Sequence, residues 1–213
     1  MENLYEELKE EFTENYPLVK IEDEVLDFDM EIYDPKKDEV VNKRVSDYRW
    51  KWLVLFFYPA DFTFVCPTEL KDLQKKVDEF NNMKDVELVV ASVDTVFSHK
   101  AWVEDESLLK WFPFPMLSDR NTFISRYFGI SNKETWNTER WTFIIDPEGV
   151  LKTVEVHTEP VGRSAWELVR KLHALRFVYN NPGNACVASW DGDNSPKLKP
   201  SIKIAWKVWQ NLE

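Results

Sequence analysis

The run Leu53-Val54-Leu55-Phe56-Phe57-Tyr58 constrains the fold more than any other part of this chain. A strand with one wet face would alternate, and a buried helix would be longer. Six continuous apolar residues suit a central strand covered on both faces. Helical spacing follows from Pro67 through Leu70, Leu73, Val77 and Phe80. A second buried strand is expected at Val86–Val93, and then a helix carrying His99, Trp102 and Leu109. Strand, helix, strand, helix in that order predicts an α/β domain with a central mixed, at least partly parallel sheet flanked by helices.

The flanking segments complete an outline. Residues 21–49 alternate in polarity and are interrupted by Asp34-Pro35-Lys36-Lys37-Asp38, a turn between two strands. Trp141–Asp146 and Val150–His157 meet at Pro147-Glu148-Gly149 as a hairpin, and Ser164 to about Val178 reads as a long helix. After Asn180-Asn181-Pro182-Gly183 a loop-like stretch leads to a last short helix with Ile202, Ala205, Trp206 and Trp209. The expected organisation is an acidic helix over 1–16 (Leu4, Leu8 and Phe12 on one stripe), a domain over 17–179, and a C-terminal arm over 180–213.

Charge narrows the function classes. The formal net charge is −11, and residues 1–39 carry all of it, with 15 acids against 4 bases; residues 40–213 hold 23 of each. No basic face offers itself to nucleic acid. The longest apolar stretch, Trp52 to Ala60, has nine residues, short of the roughly 20 needed to cross a bilayer. The start Met-Glu-Asn-Leu-Tyr-Glu-Glu is acidic where a signal peptide is basic, so a cytoplasmic protein is expected. Two cysteines in such a compartment read as reactive or incidental sooner than as a structural disulfide.

Cys66 stands between the end of the buried strand and the start of a helix, with Pro67 suited to the first helical position. The unpaired N–H groups and positive dipole end of a first helical turn favour a thiolate. Cys-Pro-Thr-Glu lacks the second cysteine of a Cys-x-x-Cys exchanger, so a reactive Cys66 needs a distant partner or none, and Cys186 is the one candidate. The three histidines, His99, His157 and His173, show no close-spaced ligand pairs with the cysteines, which argues against zinc. A cysteine–histidine hydrolase stays open, although no histidine stands out by context.

The string Phe56-Phe57-Tyr58-Pro59-Ala60-Asp61-Phe62-Thr63-Phe64-Val65-Cys66-Pro67-Thr68-Glu69-Leu70 resembles the active-site segment of typical 2-Cys peroxiredoxins of the alkyl hydroperoxide reductase C type. Further pieces match in order: Ser92-Val93-Asp94-Thr95 with Phe97 to Trp102, Arg140-x-Thr142 to Gly149, Val161-Gly162-Arg163, and Cys186 with Trp190. The resemblance runs from about residue 17 to 200. It implies a thioredoxin-like fold with a C-terminal arm and the reduction of hydroperoxides without metal or cofactor. Cys66 then matches the peroxidatic cysteine, Pro59, Thr63 and Arg140 its pocket, and Glu69 and Arg163 the pair that orients Arg140. Cys186 matches the resolving cysteine, which forms a disulfide with Cys66 of a neighbouring subunit. A thioredoxin-like or flavoprotein disulfide reductase, and dimers assembled into a decameric ring, are implied as partners.

An oligomeric holdase or redox-sensing scaffold using the same cysteines is the alternative. The chain departs from the family in having Trp50 where glycine is usual and Val187 where proline follows the resolving cysteine. It also lacks the Gly-Gly-Leu-Gly insertion and the C-terminal Tyr-Phe of overoxidation-sensitive members, so resistance to overoxidation is expected. Trp50, Trp111, Trp136, Trp206 and Trp209 read as added apolar mass, for the core first and for an interface second.

Overall fold

A computed structural model describes residues 19–132, 134–192 and 195–211. The helix expected over 1–16 lies outside them. The chain divides into two compact units that part between Arg163 and Ser164.

The first unit is built on a seven-stranded mixed sheet of order β2-β1-β5-β4-β3-β6-β7. Its strands are β1 (Asp29–Asp34), β2 (Glu39–Arg44), β3 (Trp52–Phe57), β4 (Val86–Ser92), β5 (Met116–Ser118), β6 (Arg140–Ile145) and β7 (Leu151–His157). All six residues of β3 are buried, as its unbroken apolar run requires. It pairs parallel to β4 and antiparallel to β6, and β4 pairs parallel to β5. Each buried leucine or phenylalanine contributes about 1.5–3 kcal/mol, so this strand is the mechanical centre of the unit. The two hairpins, β1–β2 and β6–β7, form as their turn residues predict.

Helices α1 (Cys66–Lys75) and α2 (Val77–Asn82) replace the single helix expected from Pro67 to Phe80. Lys76, at φ −101° and ψ 11°, leaves the helical region and breaks the element in two. Helix α3 (Val96–Asp105) carries His99 and Trp102, with Thr95 Oγ1 accepting from the Ser98 N–H at 3.1 Å as its cap. Leu109 falls beyond it on a single 3-10 turn. A short α4 (Phe123–Tyr127) follows β5.

The pleat gives the sheet two different faces. Leu53, Leu55, Phe57, Phe143 and Ile145 point into one cluster with Phe28, Tyr127 and Phe128, where the Phe128 and Phe143 rings stack at 4.0 Å. Phe56, Arg140 and Thr142 alternate with these along β3 and β6 and so belong to the opposite face. Because β6 runs antiparallel to β3, with Phe57 opposite Trp141, Arg140 stands at the end of β3 from which the Cys66 segment departs.

The second unit contains α5 (Ala165–Asn180), β8 (Ala185–Cys186) and β9 (Lys197–Leu198). Ser164 caps α5, and the Trp190 ring lies 5.1 Å from that of Phe177. In place of the helix expected from Ile202, only a 3-10 turn over Val208–Asn211 forms. Among the described residues no helix is long and apolar enough to cross a membrane.

Five of the ten tryptophans depart from the core role expected of them. Trp50, Trp111, Trp136, Trp206 and Trp209 are 80%, 82%, 60%, 88% and 64% exposed. Trp52, Trp102 and Trp190 are buried.

Candidate active site

Cys66 is the first residue of α1 and is fully buried. The Val65 carbonyl receives the N–H groups of Thr68 and Glu69 at 3.0 and 3.2 Å and the Thr68 hydroxyl at 2.6 Å, which fixes the first turn under the thiol. One turn on, Glu69 points inward as a buried carboxylate. A charge in that position is tolerated only when it is paired and hydrogen-bonded.

Two arginines meet that need. Arg140 Nη1 donates to Glu69 Oε2 at 2.6 Å and lies 3.4 Å from Cys66 Sγ, while its Nε donates to the Glu159 carbonyl at 2.5 Å. Arg163 donates to Glu69 Oε1 from its backbone N–H at 2.8 Å and from Nε at 2.9 Å. Its Nη1 reaches the Trp141 carbonyl at 2.7 Å and Thr142 Oγ1 at 3.1 Å, and its guanidinium stacks 3.4 Å from the Phe56 ring centre. Burial pulls the Arg163 guanidinium down from its ordinary value, and the Glu69 carboxylate opposes that shift. Arg163 thus ties α1 to the face of β3 and β6 that carries Arg140.

Gly162 makes this approach possible. A Cβ there would stand 3.2 Å from Val65 Cγ1 and 3.4 Å from Glu69 Cγ. A larger residue must push the Val65 side chain back by a few tenths of an ångström and crowds the Glu69 side chain that the Arg163 N–H reaches.

The segment between β3 and α1 holds Pro59, which is buried, and Thr63, whose hydroxyl donates to the Ala60 carbonyl at 2.8 Å. It is anchored by a buried group that sequence reading did not identify. The Asp61 carboxylate accepts from Tyr58 Oη at 2.7 Å and faces His99 Nδ1 at 2.9 Å, and the Asp61 N–H donates to Asp94 Oδ2 at 2.8 Å. His99 Nε2 faces the Leu117 carbonyl at 3.2 Å, so both ring nitrogens look at acceptors. Thr138 Oγ1 adds a bond to the Tyr58 carbonyl at 2.6 Å. Asp94, His99 and Thr138 lie 33, 38 and 80 residues from the groups they hold. The shared clue was that Asp61, Asp94 and His99 all fall inside the strings that carry the family resemblance.

Direct contacts therefore join Cys66, Glu69, Arg140 and Arg163, while Thr63 and Pro59 are placed by the preceding segment. Cys186 belongs to the second unit, on β8. Its Sγ lies 3.7 Å from the Ala174 carbonyl, and burial pushes its thiol up against the opposing pull of Arg170 and Lys197. Both cysteines are free thiols.

Residues 21–154 match the AhpC/TSA family. The chain belongs to that family. It is 39% identical over 188 residues to the alkyl hydroperoxide reductase C of Staphylococcus epidermidis, covering 88% of this chain and 98% of that protein. Among solved structures it is similar to AhpC of Enterococcus faecalis, at 36% identity and TM-score 0.74, covering 79% of this chain and 99% of the other. It is also similar to the reduced 2-Cys peroxiredoxin of Plasmodium vivax, at 27% identity and TM-score 0.82, covering 89% and 98%. The seven-stranded sheet and its helices are the thioredoxin-like architecture of these AhpC-type peroxiredoxins.

Proposed function

We propose that this AhpC-type peroxiredoxin reduces hydrogen peroxide and organic hydroperoxides with Cys66 as the attacking group. The observation that carries the reading is the Arg140 Nη1 donor, 3.4 Å from Cys66 Sγ and held by the buried Glu69 carboxylate. The Cys66 thiolate attacks the near peroxide oxygen, the O–O bond breaks, and the far oxygen leaves as water or alcohol after taking a proton. Negative charge grows on that leaving oxygen, and a fixed guanidinium in a buried site stabilises it. Thr63, whose proton is committed to Ala60, offers its oxygen to the proton of the hydroperoxide, and Pro59 keeps water from the thiolate.

Cys66 is left as a sulfenic acid. In this reading Cys186 of a neighbouring subunit condenses with it, releasing water and forming a Cys66–Cys186 disulfide. The arm over 180–213 delivers Cys186, and α1 unwinds locally to meet it. A thioredoxin-like or flavoprotein dithiol then reduces the disulfide in the cytoplasm. Dimers assembled into a decameric ring are the working assembly. A purely scaffolding role would leave the Arg140–Cys66 contact without use.

Peroxide consumption with a dithiol reductant tests the reading. Wild type is expected to consume peroxide and Cys66→Ser to lose the activity; an inert wild type overturns it. On non-reducing gels Cys186→Ser is expected to abolish the peroxide-induced disulfide dimer, and a persisting dimer removes Cys186 from the scheme.

A further inference from the structure

The exposed tryptophans share a backbone property. Nine non-glycine residues of the described chain have positive φ, and four are tryptophan: Trp50 (+70°), Trp111 (+65°), Trp136 (+62°) and Trp206 (+66°). Only a few per cent of non-glycine residues adopt this region, with Asn, Asp and His enriched among them, so ten tryptophans should supply fewer than about one. Four of the five glycines also have positive φ. At these positions tryptophan behaves as glycine does.

The turns make the requirement explicit. Arg49 at φ −53°, ψ 143° precedes Trp50, and the Lys51 N–H closes the turn on the Tyr48 carbonyl at 3.0 Å. Lys110 at φ −53°, ψ 123° precedes Trp111, and the Phe112 N–H closes that turn on the Leu109 carbonyl at 2.8 Å. Both are type II turns with tryptophan at the third position, where the geometry calls for glycine. Trp206 holds the same place in the turn closed by the Lys207 N–H on the Ile204 carbonyl at 3.0 Å.

Burial does not compensate. The four side chains are 60–88% exposed, and the ring contact of Trp111 is an open approach of Lys110 Nζ at 5.9 Å. The core tryptophans, Trp52, Trp102 and Trp190, have ordinary backbone angles, as do the exposed Trp166 and Trp209. Two populations of tryptophan thus exist in one chain: the four at positive φ are all exposed, and every buried tryptophan has ordinary angles.

Tryptophan and glycine share neither size nor polarity, so gradual exchange of similar residues does not produce four such coincidences. The triplet UGA links the two, because different genetic codes assign it to stop, to tryptophan or to glycine. We propose that positions 50, 111, 136 and 206 are glycine in the protein its native cell makes, each tryptophan marking a UGA triplet that the cell decodes as glycine. Four further glycines would join a chain that has only five.

Peptide mass spectrometry of the protein purified from its native source decides this. The peptides spanning 50, 111, 136 and 206 are each expected to be lighter by the difference between tryptophan and glycine, while Trp102 keeps its indole. Tryptophan in those four peptides overturns the proposal. The conformational premise has its own test in the protein made with tryptophan at all four positions. Replacing the four with glycine is expected to raise Tm by several degrees, and replacing them with alanine to raise it less, because a Cβ at positive φ keeps the strain. An alanine gain equal to or above the glycine gain overturns the premise. Trp102→Gly serves as the opposite control and is expected to lower Tm sharply.

Discussion

Arg163 grips Glu69 twice at one oxygen, through its backbone N–H at 2.8 Å and its Nε at 2.9 Å. The carboxylate is thereby fixed for Arg140, which donates to its other oxygen at 2.6 Å. Position is transmitted outward from the sheet: Phe56 and Thr142 hold Arg163, Arg163 holds Glu69, and Glu69 holds the guanidinium beside the sulfur.

Removing the shared carboxylate should therefore damage both stability and chemistry. Glu69→Ala leaves two buried guanidinium groups without their counter-charge, a change that costs about 3–5 kcal/mol when one partner of a buried pair is lost. Urea denaturation of the variant is expected to show that loss as a lower midpoint at unchanged slope. Where folded protein remains, its peroxide kcat/KM is expected to fall because Arg140 is no longer aimed.

Gly162→Ala probes the close approach instead of the charge. The added methyl must displace Val65 or Glu69 by a few tenths of an ångström, an overpacking cost of about 1 kcal/mol. A thermal melt is expected to register that small loss. The rate of Cys66 oxidation should fall more than the melt suggests, since Val65 supports the first turn of α1.

Asp119 gives the first unit a pH dependence. Its oxygens accept the N–H groups of Ile124 and Ser125 at 2.9 and 2.7 Å, yet burial pushes the carboxyl up to about 6. Between about pH 4, the ordinary carboxyl value, and pH 6 the folded chain holds a proton that the unfolded chain has lost. This contribution is fully present below pH 4 and is lost as pH rises through 6. Asp119→Asn is expected to flatten the stability profile across that window; an unchanged slope in chemical denaturation would show that Asp119 is not its source.

Cys186 should set the pH dependence of disulfide formation. A raised thiol holds less thiolate at neutral pH, so condensation with oxidised Cys66 is expected to accelerate steadily from pH 7 to alkaline pH in quenched-flow experiments. Arg170→Ala removes a cation that opposes the rise and is expected to slow the step at pH 7. A pH-independent rate would place the limiting step elsewhere, for example in the unwinding of α1.

Local sequence carried the parts of this molecule that obey a local rule. The unbroken run at β3, the helix start at Cys66 and the two hairpins follow from periodicity and turn chemistry. Strand β5 was not legible because three residues are too few to show a period, and neither was the break at Lys76, where the apolar spacing continues across the kink. The pocket needed the family resemblance, because Glu69 finds its arginines 71 and 94 residues away. Asp61 and His99 escaped for the same reason, each being an ordinary polar residue until the fold closes them on one another.

Arg140 and Arg163 together carry two positive charges, and the carboxylates that face them are Glu69, bound by both, and Glu155, beside Arg163. In the proposed cycle oxidation takes negative charge off the sulfur while these groups stay where they are. The guanidinium 3.4 Å from Sγ then has no anion to hold there, so turnover is expected to loosen the contact that keeps Cys66 and the start of α1 closed.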